Sequence, residues 1–204
     1  MPDQRVAKLM LRRLGILIVA LSVSLSWAPE SIAQASDSSD SSEYLIKAGF
    51  IYNFAKFVEW PAASFAQPDS PIVIGILGTD PFGNLIDRII ENKKIGARGL
   101  VVKRLKWSTD LKDLKECKIL FVGASEKAHL DDLVQIVKSL PILTVGETPG
   151  FAERGGVIRF VLEDNRVRFE INVEAAHQAD LTISSRLLTL ARIIQANVDA
   201  RKPG

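Results

Sequence analysis

The spacing of apolar and polar positions changes period along this chain, and each change marks an element. From Tyr44 to Pro61 (Tyr-Leu-Ile-Lys-Ala-Gly-Phe-Ile-Tyr-Asn-Phe-Ala-Lys-Phe-Val-Glu-Trp-Pro) the period is helical. At about 100° per residue, Ile46, Phe50, Phe54 and Phe57 share one flank, and Tyr44, Ala48, Ile51, Ala55 and Val58 share the next. Asn53, Lys56 and Glu59 gather opposite, with Leu45, Tyr52 and Trp60 spilling onto that polar side. So wide an apolar arc predicts a helix covered from more than one direction. Pro61 is the expected stop, because the residue before proline is pushed out of the helical region. The concentration of aromatic rings here predicts the packing centre, and Tyr52 and Trp60 are the candidate anchors for a partner surface.

Beyond Pro61 the period shortens. Pro71-Ile-Val-Ile-Gly-Ile-Leu-Gly78 is a continuous apolar run, expected of a strand buried on both faces. Thr79-Asp80-Pro81 reads as a helix start, with Asp80 as cap and Pro81 first in the helix, followed by Phe82, Leu85, Ile86, Ile89 and Ile90 at helical spacing. Further strands are expected over 99–105, 118–123 and 142–145, with a helix over about 127–139. Alternating strands and helices predict an α/β fold: a mostly parallel sheet flanked by helices. An antiparallel C-terminal hairpin follows, turning at Asp164-Asn165. Closing it there sets Ile158 opposite Ile171, Phe160 opposite Phe169 and Leu162 opposite Val167. Arg159 then meets Glu170 and Glu163 meets Arg166, and a slip of one residue would spoil every pair. A C-terminal helix is expected behind a Ser184 or Ser185 cap, carrying Leu187, Leu188, Ala191 and Ile194.

The ends modify this picture. Arg5, Lys8, Arg12 and Arg13 precede an apolar run from Leu14 to about Ala28, then Ser31-Ile32-Ala33. This is the three-part secretory pattern, and the run is short for a membrane span of about 20 residues. The expectation is a signal peptide over 1–33, cleaved after Ala33, then a Ser/Asp-rich flexible tether over 34–42. One domain over 43–196 and a frayed tail over 197–204 complete the layout. Residues 1–33 carry four of the 26 basic and two of the 24 acidic residues, so the mature chain balances at 22 against 22. Such a chain has no electrostatic footprint for nucleic acid or anionic lipid, and no stable membrane insertion is expected of it. The single cysteine, Cys117, cannot close an intramolecular disulfide; burial at a strand edge or pairing between chains are its two readings.

Chemistry is sparse. Gly75-Ile-Leu-Gly78 followed by Gly83 lacks dinucleotide-fingerprint spacing, and no Gly-Lys-Ser/Thr follows for a P-loop. His129 and His177 are the only histidines and neither has a metal-ligand spacing. Ser125 lies four residues before His129, with no acidic orienter or nucleophile elbow apparent. The expectation is a protein that is not an enzyme and carries no cofactor or metal. Were a small molecule bound, topology would place it beyond the carboxyl ends of the parallel strands, at Thr79, Asp80, Ser125 and Glu147.

The run Phe50-Ile-Tyr-Asn-Phe-Ala-Lys-Phe-Val-Glu-Trp-Pro61 resembles the opening signature of the YfiR-like family of periplasmic regulatory proteins. The resemblance continues through Gly78-Thr-Asp-Pro-Phe-Gly83, Cys117-Lys-Ile-Leu-Phe121, the hairpin from Gly155-Gly156 to Ile171-Asn172, and Ile183-Ser-Ser-Arg-Leu-Leu188. It implies a periplasmic protein, often a homodimer, that represses a membrane-bound diguanylate cyclase or related membrane sensor by binding its periplasmic part. Cyclic-di-GMP signalling and biofilm formation would lie downstream. The alternative reading is a periplasmic small-ligand sensor using the strand-end cleft. Members of this family can carry disulfides, which this chain has too few cysteines to form.

Overall fold

The computed structural model describes residues 33–107 and 112–194. The expected signal peptide up to residue 32 and the tail over 197–204 lie outside the described residues. The chain divides into a unit of residues 1–39, helical where it is described, and a unit of residues 40–204 that contains all the strands of the described residues. Among the described residues no helix is long and apolar enough to cross a membrane.

Helix α1 spans Ala33–Phe57, so it includes residues 34–42, where composition predicts a tether, and ends short of Pro61. Once the packed turns after Tyr44 nucleate it, backward extension costs little. Its C-terminal limit is set by pairing: β1 (Val58–Glu59) joins β9 (Thr182–Ile183) antiparallel, and the Ser184 N–H donates to the Phe57 carbonyl at 2.9 Å. The remaining strands are β2 (Ile72–Leu77), β3 (Lys94–Ile95), β4 (Arg98–Leu105), β5 (Ile119–Val122), β6 (Leu143–Gly146), β7 (Ile158–Glu163), β8 (Arg166–Asn172) and β10 (Arg192–Ile194). They form one sheet in the order β10-β8-β7-β6-β5-β2-β4-β3. All neighbours are parallel except β7/β8 and β3/β4. This is the expected α/β fold.

Alternation along the central strands divides the core. Ile72, Ile74, Ile76, Ile119, Phe121, Leu143, Val145, Ile158 and Phe160 face α1, α2 (Leu85–Ile90), α5 (Val173–Gln178) and α6 (Ser185–Leu188). Val73, Leu77, Leu120 and Val122 face α3 (Lys112–Glu116) and α4 (Leu130–Val137). The middle of α1 carries Ala48, Ile51 and Phe54, all fully buried; Phe54 lies 5.7 Å from the Phe160 ring and 5.2 Å from that of Phe169.

The hairpin forms in the predicted register, with Asp164 and Asn165 at φ 49° and 58°. Two helix expectations are revised. The Asp80 Oδ1 accepts from the Phe82 N–H at 2.7 Å, which stabilises a turn, and α2 starts only at Leu85. At the C-terminus Ser184 does cap, its Oγ accepting from the Leu187 N–H at 3.4 Å, but the helix stops at Leu188. The chain then extends as β10 because Arg192 reaches two carboxylates, Glu163 at 2.9 Å and the buried Glu170.

Cys117 is fully buried, its Sγ donating to the Asp113 carbonyl at 3.4 Å. A Cβ at position 75 would lie 2.6 Å from that sulfur, which is why a glycine interrupts β2. Burial pushes the thiol pKa up to about 11, opposed in part by Lys103. Native protein is therefore expected to react with a thiol reagent on the order of a hundred-fold more slowly than protein in urea. Equal rates in the two conditions would show that the sulfur is accessible.

Candidate functional site

The strands β4-β2-β5-β6-β7 run in the order 2-1-3-4-5 of a doubly wound sheet, so the chain reverses direction between β2 and β5. The crevice beyond the carboxyl ends of those two strands is the place where such sheets take ligands. Here the chain's own groups bond to one another. The Thr79 N–H donates to Ser125 Oγ at 2.9 Å, and the Ser125 hydroxyl donates to Glu126 Oε1 at 3.1 Å. Gly78, at φ +86°, lets these side chains approach; a Cβ there would collide with Ser125 Oγ and Glu126 Oε1.

Glu126 is the acidic neighbour that sequence reasoning missed. Its Oε2 lies 3.1 Å from His129 Nδ1, and the His129 ring stacks on Trp107 at 4.5 Å with an interplanar angle of 6°. The carboxylate thus sits between the serine and the histidine. A nucleophilic triad requires the histidine in the middle, so this order does not activate Ser125.

Asp80 and Glu147 turn away from this point. Asp80 Oδ2 accepts from Arg104 Nε at 2.8 Å, and Arg104 also donates to the Gly83 carbonyl at 2.6 Å and to Asp87 at 2.5 Å. The hydrogen bonds from Arg104 hold the Asp87 carboxyl below the usual carboxylate range, and that pairing raises the guanidinium in turn. Glu147 belongs to α1: it accepts from Lys47 Nζ at 2.6 Å and from the Tyr44 hydroxyl at 3.1 Å. Lys47 is buried and also pairs with Glu43 one helical turn back. The Tyr44 ring meets Phe82 edge-on at 5.5 Å, and Phe82 meets Phe121 at 4.7 Å. The four predicted cleft residues therefore split: Thr79 and Ser125 meet, whereas Asp80 fastens a loop and Glu147 fastens a helix.

The predicted partner anchors are both only partly exposed. Tyr52 is half-buried, with Lys93 and Lys56 ammonium groups 4.7 Å and 5.6 Å from its ring centroid. Trp60 is half-buried too, and its indole N–H donates to the Lys118 carbonyl at 3.1 Å, a bond within the domain. The exposed apolar side chains near the C-terminus are Leu190 and Ile193, at 70% and 50% exposure. Nothing in their spacing separates them from the buried Leu187.

The model of a protein family described as YfiR/HmsC-like matches residues 44–192, from the aromatic helix to β10. The chain belongs to the YfiR/HmsC-like family. Its match begins at Tyr44, the residue that joins α1 to Glu147 and Phe82. A search of curated proteins finds no match to this YfiR/HmsC-like chain. Among solved structures it is similar to the crystal structure of the ABC domain in complex with L-Trp from Streptococcus pneumonia. The identity is 16% and the TM-score 0.43, and the match covers 60% of this chain and 55% of that one.

Proposed function

We propose that this protein is a non-catalytic periplasmic regulator that binds the periplasmic part of a membrane-bound diguanylate cyclase, or a related membrane sensor, and holds it in check. Cyclic-di-GMP output and biofilm formation then follow the occupancy of that complex. The observation that carries this reading is the family match across residues 44–192, which takes in nearly the whole unit that contains the sheet. Two surface features support recognition of a protein. Tyr52 is a partly exposed aromatic flanked by cations, suited to an acidic partner surface. Leu190 and Ile193 present apolar side chains at the C-terminal edge of the sheet. At the strand-end crevice, by contrast, the Thr79 N–H and the Ser125 hydroxyl are engaged internally.

Binding of the purified protein to the periplasmic segment of the membrane cyclase, measured by calorimetry, tests the proposal. Tyr52→Ala and Leu190→Asp are each expected to weaken binding by about ten-fold or more, as central anchors do. Unchanged affinity in both variants would remove these surfaces from the interface. Absence of binding by the unaltered protein would overturn the function itself.

A further inference from the structure

We propose that a pocket at the amino ends of the parallel strands, opposite the crevice between β2 and β5, binds a small molecule bearing a carboxylate on an apolar body. The pocket holds about 300 Å³ and is walled by Phe65, Pro71 and Val73, with Ser64, Lys115 and Lys118 supplying polar groups. The decisive residue is Lys118. It is 6% exposed, and its backbone is pinned: its N–H donates to the Val73 carbonyl, and its carbonyl accepts from the Leu143 N–H, both at 2.8 Å, and from Trp60.

Among the described residues the other buried charges have partners. Lys47 lies between Glu43 and Glu147, Glu170 between Arg159 and Arg192, and Glu126 beside His129. Lys118 forms no salt bridge among the described residues; its ammonium lies 5.1 Å from the Phe65 ring centroid. Burial holds its pKa below the usual lysine range, with Arg98 acting in the same direction and Cys117 opposing. A largely desolvated lysine without a counter-charge is costly, and an incoming anion at its ammonium lowers that cost. Beside it, Ser64 Oγ is buried and makes no hydrogen bond, so a hydroxyl donor is also free for an acceptor.

The surroundings fix the sign and shape of the ligand. Arg98 stacks 3.6 Å from the Phe65 ring centroid while donating to the Gln67 and Ser70 carbonyls at 3.0 and 2.8 Å, so the aromatic wall is held in place. The one carboxylate lining the pocket, Glu116, is engaged by Lys103, and that bond holds its pKa below the usual carboxylate range. The local field is therefore positive. One ammonium at the pocket wall and one hydroxyl match the two oxygens of a monocarboxylate, whereas a phosphate dianion calls for more donors. The apolar wall takes the rest of the molecule.

The probe is benzoate, with benzyl alcohol as its uncharged counterpart and inorganic phosphate as the competing anion. Benzoate is expected to raise the melting temperature with concentration, and benzyl alcohol to leave it unmoved. In heteronuclear NMR spectra the benzoate-induced shifts should centre on the amides of Ser64 and Phe65. Lys118→Met should weaken binding about ten-fold or more, and Ser64→Ala, which keeps the ammonium and the core intact, should weaken it a few-fold. Unchanged affinity in both variants, equal effects of benzoate and benzyl alcohol, or NMR shifts centred elsewhere would overturn the assignment. Tighter binding of phosphate than of benzoate would overturn the carboxylate class.

Discussion

Replacing Phe54 by alanine should lower the stability of the domain by about 3–5 kcal/mol, the cost of deleting a fully buried aromatic ring. The upper part of that range applies here because the cavity cannot collapse. Its walls belong to three elements fixed by other bonds: Phe50 on α1 at 6.1 Å, Phe160 on β7 at 5.7 Å and Phe169 on β8 at 5.2 Å. The β7–β8 ladder holds Phe160 directly opposite Phe169, so neither ring can move in without breaking strand pairing. For a domain of this size, 1 kcal/mol corresponds to about 2–4 °C, and a fall in melting temperature on the order of 10 °C is expected. Urea unfolding followed by circular dichroism measures the loss. A change below about 1 kcal/mol would mean that α1 is not the packing centre. The same substitution at the half-buried Phe50 should cost less.

Asn172 gives the second large effect, through hydrogen bonds instead of volume. It is fully buried at the junction of β8 and α5, and its two side-chain polar atoms serve different elements. Oδ1 accepts from the Ala175 N–H at 2.9 Å and caps α5; Nδ2 donates to the Ala152 carbonyl at 2.7 Å. Asn172→Ala removes a cap, worth about 0.5–2 kcal/mol, and one of the two bonds to the Ala152 carbonyl, which keeps the Gly155 N–H at 3.1 Å, a loss of about 0.5–1.5 kcal/mol. A total of about 2 kcal/mol is expected by urea unfolding. Asn172→Asp tests the account more sharply. It keeps the cap acceptor but turns a carboxylate oxygen toward the Ala152 carbonyl, so it should not rescue stability at neutral pH. If the aspartate variant were as stable as the native protein, the bond to Ala152 would carry no weight.

How much of this was legible in the sequence depends on how far each determinant lies along the chain. The β7–β8 register was fully legible, because a two-residue turn sets it and both faces of the ribbon agree. The double-faced burial of β2 was legible from an unbroken apolar run. The end of α1 was not, because Val58 and Glu59 leave the helix to pair with Thr182 and Ile183, residues that local periodicity cannot see. Nor was the stop of α6: Leu187 to Ile194 keeps a helical spacing, but Arg192 gains two carboxylates by becoming a strand. At the crevice, topology alone brought Thr79 and Ser125 together. Lys118 was invisible as a pocket residue, since a buried lysine without a counter-charge is written no differently from a solvated one.

The clasp between β1 and β9 sets the order in which the molecule can be assembled. The helix supplying the largest aromatic cluster is made well before the residues that anchor its trailing end. A nascent or C-terminally clipped chain lacking Thr182–Ser184 would hold that rod by side-chain packing alone, with the backbone groups at its exit left to solvent. Arrival of β9 is thus the latch on the fold, and a protease acting there would loosen the exit of α1.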